Sequence, residues 1–216
     1  MTFSVSSMTA SLRKVALLKP GACLKNADPS KWHYGPTFDP GKVEEIHASF
    51  VSLLENEGVE IFWIEDHNSE IADAVFTYDA SLMTKFGAIL MSPGKLLRSG
   101  EQDLHKIFYN SHDIPIIGSI SDLARAEAGD TLWLDETTLV VGRGFRTNQL
   151  GVEQIKDILE PRGINVFSYD LPFYTGAAAC LHLMSLISLV DTKAALVALP
   201  LLPVGFYELL TSKGFQ

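Results

Sequence analysis

Four short stretches of this 216-residue chain share one pattern: Glu57–Ile61 (EGVEI), His112–Ile116 (HDIPI), Arg162–Val166 (RGINV) and Lys213–Gln216 (KGFQ). Each one follows a stretch with helix-like periodicity and passes into β-branched or apolar residues. The stretches recur about every 50 residues, a period typical of stacked or ring-like repeats of one supersecondary unit. The fourth copy stops as its strand begins, so we expect the chain to lack part of a final unit.

Each repeat is predicted to contain two strands, a helix and a third strand. The predicted helices are residues 42–54, 101–108, 150–159 and 205–211. The predicted strands are residues 14–18, 59–64, 74–78, 88–91, 114–117, 131–134, 138–141, 164–167, 182–189 and 194–198. Because strand pairs precede the helices, an α/β propeller with strands around a central axis is favoured over a doubly wound sheet. We divide the chain into a flexible N-terminal extension, residues 1–13, and one truncated domain, residues 14–216.

The composition narrows the choice of partners and of compartment. With 47% hydrophobic residues the chain can bury one core, and its formal net charge of −9 argues against nucleic acid and suits small cationic ligands. Two cysteines, Cys23 and Cys180, are too few for a disulfide framework, so we expect a reducing, cytoplasmic location. The most apolar run, residues 177–190, falls short of the ~20 residues that span a bilayer, so no membrane partner is expected.

Several acidic residues and one histidine are candidates for chemistry. Asp73 and Asp79 bracket a predicted strand, and period-2 alternation would place both carboxylates on one face, where they can accept the N–H donors of a guanidinium. Glu127 and Asp130 flank Gly129 just before another predicted strand. His182 lies in an apolar stretch, where a nearby acid would tune it for proton transfer. Strand-end caps, solvated turns and a hydrogen-bonded core histidine remain the structural alternatives.

Two arginines lie in predicted loops. Arg98 follows the Pro93-Gly94 turn, and Arg146 stands just ahead of a predicted helix. A pair of arginines can clamp a carboxylate with two parallel hydrogen bonds each, whereas single loop arginines are usually solvated. The sequence pattern leaves both interpretations open.

Taken together, these motifs resemble those of the dimethylarginine dimethylaminohydrolase and amidinotransferase family, whose members modify guanidino groups. The resemblance covers nearly all of the chain from about residue 14. It is carried by Asp73–Asp79, Met91–Arg98, Glu127–Asp130, Val141–Asn148 and Leu181–Leu183. It implies the pentein fold, an α/β propeller of ββαβ repeats with five-fold pseudosymmetry, of which the final repeat is missing here.

The resemblance also implies how the substrate is held. Asp73 and Asp79 would bind its guanidinium group, and Phe76 would line the site. Arg98 and Arg146 would hold the carboxylate of an amino-acid substrate. The expected ligand is therefore a small cation of the arginine or methylarginine type.

The implied catalytic groups are His182 as general acid/base and Glu127 as the residue that orients it. The family's nucleophile is a cysteine that attacks the guanidinium carbon and forms a thiouronium intermediate. It lies near the C-terminus in the fifth repeat, and neither Cys180 nor Cys23 matches that position. We therefore expect this chain to be inactive alone, with Cys180 as a small buried residue and Cys23 in the loop after Pro20-Gly21.

The function implied by the resemblance is hydrolysis of the dimethylargininase type, converting methylarginine to citrulline and an amine without a metal or an organic cofactor. An amidinotransferase and an arginine deiminase remain alternatives, and a non-catalytic propeller-fold binding protein is an alternative from another class. The chain departs from the family pattern at Tyr78, Ala128 and Met184, which leaves the substrate open. The oligomeric state also remains open, with a homodimer among the options.

Overall fold

The computed structural model describes residues 3–66, 70–177 and 181–216, and it gives the four repeated stretches one backbone geometry. The second residue of each of the four stretches has a left-handed φ between 54° and 79°: Gly58, Asp113, Gly163 and Gly214. The next residue donates its N–H to the carbonyl five positions earlier, as in the 3.0 Å bond from Val59 to Leu54. This Schellman arrangement ends a helix and turns the chain toward a strand, so the sequence period corresponds to one repeated turn.

The regular elements lie close to most of the predicted ones. The strands of the described residues are β1 (Lys14–Leu17), β2 (Glu60–Trp63), β3 (Ser81–Thr84), β4 (Gly87–Leu90), β5 (Ile116–Ser119), β6 (Thr131–Asp135), β7 (Thr138–Arg143), β8 (Asn165–Asp170), β9 (Ile187–Asp191) and β10 (Ala194–Val197). The α-helices of the described residues are α1 (Ala22–Lys25), α2 (Pro29–Trp32), α3 (Val43–Asn56), α4 (Glu101–Ser111), α5 (Gln149–Leu159) and α6 (Val204–Ser212).

The second and third units have the predicted order of two strands, a helix and a strand. β3 and β4 pair antiparallel, and after α4 the chain returns as β5, parallel to β4. β6, β7 and β8 repeat this arrangement around α5. A parallel third strand requires a crossover connection, and the amphipathic helix predicted from the sequence supplies it.

The first unit differs from this order, and the fourth follows it up to Gln216. Within the described residues β1 pairs only with β2, in parallel, so the single strand predicted before the first helix is found, and the general order of two strands before each helix is wrong for this unit. Between β1 and α3 the chain forms α1 and α2, because the Pro-, Gly- and Asp-rich sequence of this segment lacks the alternation of a strand. In the fourth unit β9 and β10 pair antiparallel, and Gln216 bonds to the Lys193 carbonyl and the Ala195 N–H, as a parallel neighbour of β10 does.

Residues 74–78, predicted as a strand, contribute instead to a 3₁₀ turn at Ala72–Val75 and an irregular segment after it. Aromatic and β-branched residues favour strands only where a neighbouring strand and a packing face are available, and here no strand pairs with the segment. The expectation that Asp73 and Asp79 share one face of a strand is therefore wrong. Tertiary contacts position the two carboxylates separately.

Residues 182–189, predicted as one strand, are divided by a 3₁₀ turn at Leu183–Ser185, and β9 starts only at Ile187. The backbone N–H of His182 donates to Oγ of Ser185 at 3.2 Å, and this local bond competes with strand pairing. His182 is thereby placed at the entrance of its strand. Cys180 lies outside the described residues.

The apolar core is built between neighbouring units. Ile89 of the second unit and Ile155 of the third belong to one fully buried cluster, and Leu132 and Phe206 belong to a cluster between the third and fourth units. A third cluster joins the first and second units. Each unit thus buries its apolar face against the next one, as repeat folds do.

The N-terminal residues 3–13 contain no helix or strand, but Phe3 and Met8 pack against the core clusters. None of the helices in the described ranges is both long enough and apolar enough to cross a membrane.

Candidate active site

Three 3₁₀ turns at equivalent places in the repeats position the acids and the histidine. Ala72–Val75, Ala128–Asp130 and Leu183–Ser185 precede the first strand of the second, third and fourth units. Equivalent positions of a repeat come to the same end of its sheets. Possible ligand atoms of Asp79, Glu127 and His182 accordingly lie within 4.8 Å of one another.

The centre of the site is a buried hydrogen bond between Glu127 and His182. Glu127 is fully buried, and its Oε2 lies 2.9 Å from Nε2 of His182. Its Oε1 accepts the backbone N–H groups of Gly94 at 2.9 Å and Lys95 at 3.1 Å. Nη1 of Arg146 donates to both oxygens, at 3.3 and 3.2 Å. With a carboxylate as its partner, Nε2 is the ring nitrogen that carries a hydrogen.

Glu127 keeps its charge in spite of its burial. Burial raises the pKa of this carboxyl, but the hydrogen bond from His182 and the positive charges of Arg146, His182 and Arg98 outweigh burial and lower the pKa to about 2. Glu127 is therefore a carboxylate near neutral pH. It can orient the imidazole and stabilise an imidazolium, which is what a general acid/base requires of its partner.

Asp79 lies on the other side of the imidazole. Its Oδ1 is 3.9 Å from Nδ1 of His182 and accepts the backbone N–H of Gly129 at 2.8 Å. Its Oδ2 accepts Nη1 of Arg98 at 2.5 Å. The histidine thus stands between two carboxylates, with Nε2 toward Glu127 and Nδ1 toward Asp79.

Only glycine fits at position 129. A Cβ there would lie 2.5 Å from Nδ1 of His182 and 2.6 Å from Oδ1 of Asp79, closer than non-bonded atoms approach. Glycine is therefore required here by the approach of two site side chains, and not by the backbone conformation.

Asp130 holds the backbone next to the histidine in place. It is fully buried, its Oδ1 accepts the N–H of Leu183 at 3.0 Å, and its Oδ2 accepts the hydroxyl of Thr147 at 2.6 Å. Burial raises the pKa of this carboxyl to about 6. Because Leu183 follows His182 directly, Asp130 connects the third unit to the backbone that carries the imidazole.

Arg98 is buried among acidic side chains. Its Nε and Nη2 donate to the two oxygens of Glu101, each at 2.8 Å. Burial raises the pKa of Glu101 to about 7, although the Arg98 guanidinium opposes this shift. The resemblance implied that Arg98 holds a substrate carboxylate. In the structure the two N–H groups that would do so, on Nε and Nη2, donate to Glu101 instead.

Arg146 differs from Arg98 in the donors that it retains. Only its Nη1 takes part in hydrogen bonds with other described residues, and these go to Glu127. Its Nε and Nη2 remain as donors toward a ligand.

Asp73 is not grouped with the acid–histidine centre. Its Oδ1 accepts the hydroxyl of Tyr34 at 2.7 Å, and its Oδ2 accepts Nζ of Lys95 at 2.6 Å. Phe76 is about half exposed, and its carbonyl accepts a hydrogen bond from Arg98. The structure thus brings Asp79, but not Asp73, to the histidine.

Sequence reasoning missed several residues of this region. Lys95 and Glu101 form buried ion pairs with predicted site residues, and Tyr34 reaches Asp73 from a segment predicted as a loop. The i,i+3 spacing of Arg98 and Glu101 at a helix start was a usable signal, whereas the Lys95 and Tyr34 contacts depend on the tertiary fold.

Asp79, Glu127 and His182 are the ligand types that hold divalent metals, and their atoms are close enough to share an ion. However, Nη1 of Arg98 lies 2.5 Å from Asp79 and 3.8 Å from Glu127, and Arg146 adds a second positive charge beside Glu127. The Arg98 and Arg146 donors occupy oxygens of both carboxylates that a metal would need as direct ligands, so these residues do not fit a resident metal.

Cys23 lies away from the acid–histidine centre. It borders a cleft of about 630 Å³ between residues 18–23 and 63–66, and this cleft includes neither Glu127 nor His182. Burial, together with the charges of Glu70 and Asp66, raises the pKa of its thiol. A nucleophilic cysteine needs a lowered pKa, so Cys23 does not fit that role.

A sequence model of the arginine deiminase family matches residues 69–201, which include every acid, arginine and histidine assigned above to the candidate site. The chain belongs to this family. It is 28% identical over 127 residues to the N(G),N(G)-dimethylarginine dimethylaminohydrolase of Pseudomonas aeruginosa, covering 59% of this chain and 49% of that protein. The chain spans between 49% and 61% of the length of the curated relatives that it matches.

Solved structures show the fold. A variant of the Pseudomonas aeruginosa enzyme complexed with citrulline has a TM-score of 0.71 at 23% identity, with 86% of this chain and 69% of that chain covered. An amidinotransferase from Microseira wollei has a TM-score of 0.70 at 14% identity, with 100% and 75% covered. The chain shares the mixed α/β pentein fold of these guanidino-modifying enzymes.

Proposed function

We propose that this chain forms the guanidino-binding and acid/base part of a hydrolase of the dimethylargininase type. The observation that carries the proposal is the buried 2.9 Å hydrogen bond between Glu127 and His182, with Asp79 on the other side of the ring. An ionised acid, an oriented imidazole and a second carboxylate suit the protonation steps of guanidino chemistry. Membership of the arginine deiminase family supports the same reaction class.

The substrate would be an arginine-derived cation. Asp79, Glu127 and Glu101 face Arg98 and Arg146, so the centre has one excess negative charge when Glu101 is ionised and His182 is neutral. A guanidinium would balance this charge and donate N–H hydrogen bonds to the carboxylate of Asp79. Nε and Nη2 of Arg146 would hold the substrate carboxylate, with Phe76 along the aliphatic part.

The chemical steps can be assigned to atoms. A cysteine thiolate attacks the guanidinium carbon, and Nδ1 of His182 delivers a proton to the nitrogen that leaves as an amine. Water attacks the remaining thiouronium and gives one proton to Nδ1. The C–S bond then breaks and returns the thiolate, and the hydroxyl proton passes to the released amine or to solvent as the C=O of citrulline forms. Glu127 stays ionised and holds Nε2 throughout.

The thiolate would come from outside the described residues, because Cys23 has a raised pKa and lines a different cleft. We propose that the four units belong to a five-unit propeller and that the fifth unit supplies this cysteine. Without it the 216-residue chain would bind a guanidino ligand and release no citrulline.

Citrulline release from Nω,Nω-dimethylarginine, measured on a protein that includes the fifth unit, tests the proposal. His182→Ala is expected to lower turnover by about 10²-fold or more, the scale of a general acid/base contribution. The matched control is His112→Ala, because His112 is the C-cap residue of α4 and lies away from the site. Unchanged turnover in His182→Ala removes this residue from the mechanism, and no citrulline from the wild-type protein favours the non-catalytic binding protein.

A further inference from the structure

Asp73 is already paired with a cation that belongs to the chain itself. Nζ of Lys95 lies 2.6 Å from Oδ2, and the hydroxyl of Tyr34 lies 2.7 Å from Oδ1. The side chains of Lys95 and Asp73 are only 12% and 6% exposed. The pair is therefore shielded from water and from salt, unlike an ion pair at the surface.

Aromatic rings complete a cage around the ammonium group. Nζ lies 5.1 Å from the centroid of the Trp32 ring and 5.8 Å from that of Tyr34, and it also donates to the Trp32 carbonyl at 2.8 Å. One carboxylate, one carbonyl and two ring faces are the elements with which proteins hold alkylammonium groups. The geometry is that of an occupied ammonium site.

The walls of this cage belong to the segment of residues 22–38, which contains α1 and α2 and pairs with no strand. Trp32 is buried in a small cluster with Leu24 and Ala72, apart from the larger cores. The backbone N–H of Lys95 donates to Glu127. Lys95 therefore contacts the acid–histidine centre through its backbone and the 22–38 segment through its side chain.

We propose that Lys95 is a positioning residue that latches the 22–38 segment beside the acid–histidine centre, with Asp73, Trp32 and Tyr34 as its ammonium cage. The latch neutralises Asp73, so an external cation is recognised at Asp79 and not at Asp73. The second statement rests on the proposed function, whereas the latch is a property of the fold alone.

Amide hydrogen exchange of the ligand-free chain tests the latch. In Lys95→Ala the amides of Trp32 and Tyr34, bonded to the carbonyls of Asp28 and Pro29, are expected to exchange about tenfold faster or more, while β6–β8 amides are unchanged. n-Propylammonium, which replaces the deleted atoms, should restore protection, and n-propanol should not. Lys95→Met keeps the methylene packing and should open the same segment.

Lys213→Met is the matched control, because Nζ of Lys213 makes a comparable 2.8 Å bond to Asp135 far along the chain from this cage. It should leave exchange in the 22–38 segment unchanged. Unchanged protection in both Lys95 variants, or equal rescue by n-propanol, overturns the latch. The readout needs no substrate, so failure of citrulline release would contradict the proposed function and leave the latch in place.

Discussion

Glu127 and Asp73 are both buried carboxylates that accept hydrogen bonds from two or more donors, but the donor groups are of different types. Glu127 receives backbone amides, an arginine and the imidazole of His182 from parts of the chain that the sheets hold in place. Within the described residues, Asp73 receives the ends of two side chains, one of them from a segment without strands. The two carboxylates therefore differ in their donors and not in their burial: the donors of Glu127 include the imidazole of the proposed acid/base, and those of Asp73 are Lys95 and Tyr34 of the 22–38 segment.

The largest expected effect is at Glu127. Glu127→Gln would leave Arg146 and Arg98 facing a neutral amide, and breaking a buried charge network of this kind costs roughly 3–5 kcal/mol of unfolding free energy. Chemical denaturation at neutral pH measures this loss. Glu60→Gln is the control, because Glu60 forms an exposed 3.6 Å pair with Lys14. Equal losses in the two variants would show that the buried network contributes nothing specific.

The effect of Glu127 should also depend on pH. Its pKa in the folded protein is about 2, below the value of 4.5 of an ordinary carboxyl group, so its contribution is present above about pH 4.5 and disappears as the pH falls toward 2. The shift corresponds to about 3 kcal/mol at most. The difference in unfolding free energy between the wild-type chain and Glu127→Gln should therefore shrink over this range. A difference that stays constant down to pH 3 would contradict the lowered pKa.

Gly129→Ala tests how closely the side chains of His182 and Asp79 approach the backbone of Gly129. The new Cβ would collide with His182 and Asp79, and such overpacking costs about 1–3 kcal/mol. Gly35→Ala is the control, because no atom lies within 4 Å of a Cβ at that position and its φ is not left-handed. If both variants unfold at the same denaturant concentration, the imidazole is not held against this backbone.

Asp73→Asn should have the smallest effect on global stability. The amide can still accept from Tyr34, and Lys95 keeps its hydrogen bond to the Trp32 carbonyl, so the loss is about 1.5 kcal/mol, the low end for one hydrogen bond to a charged group. The loss should be local, with faster amide exchange in the 22–38 segment and unchanged exchange in β6–β8. Uniform acceleration over all sheets would place Asp73 in the main core instead of the cage.

The sequence predicted the long helices, most strands and the repeated turn because these depend on local periodicity and on one left-handed position in each unit. It also predicted Glu127, His182 and Asp79 through their motifs. It failed at residues 74–78 and 182–189, where tertiary contacts and a local His182–Ser185 bond override strand propensity. The Lys95–Asp73 pair joins two residues of the second unit that lie 22 positions apart, through buried side chains, and no local pattern encodes such a contact.

Isothermal titration calorimetry with Nω,Nω-dimethylarginine tests whether the acid–histidine centre binds the guanidinium group. The affinity of the wild-type chain is compared with those of Asp79→Asn and Asp73→Asn. Asp79→Asn is expected to weaken binding by about tenfold or more, or about 1.4 kcal/mol, whereas Asp73→Asn should change it by less than about threefold. Lys213→Met should bind like the wild-type chain. A loss in Asp73→Asn as large as that in Asp79→Asn would contradict the assignment of guanidinium recognition to the acid–histidine centre.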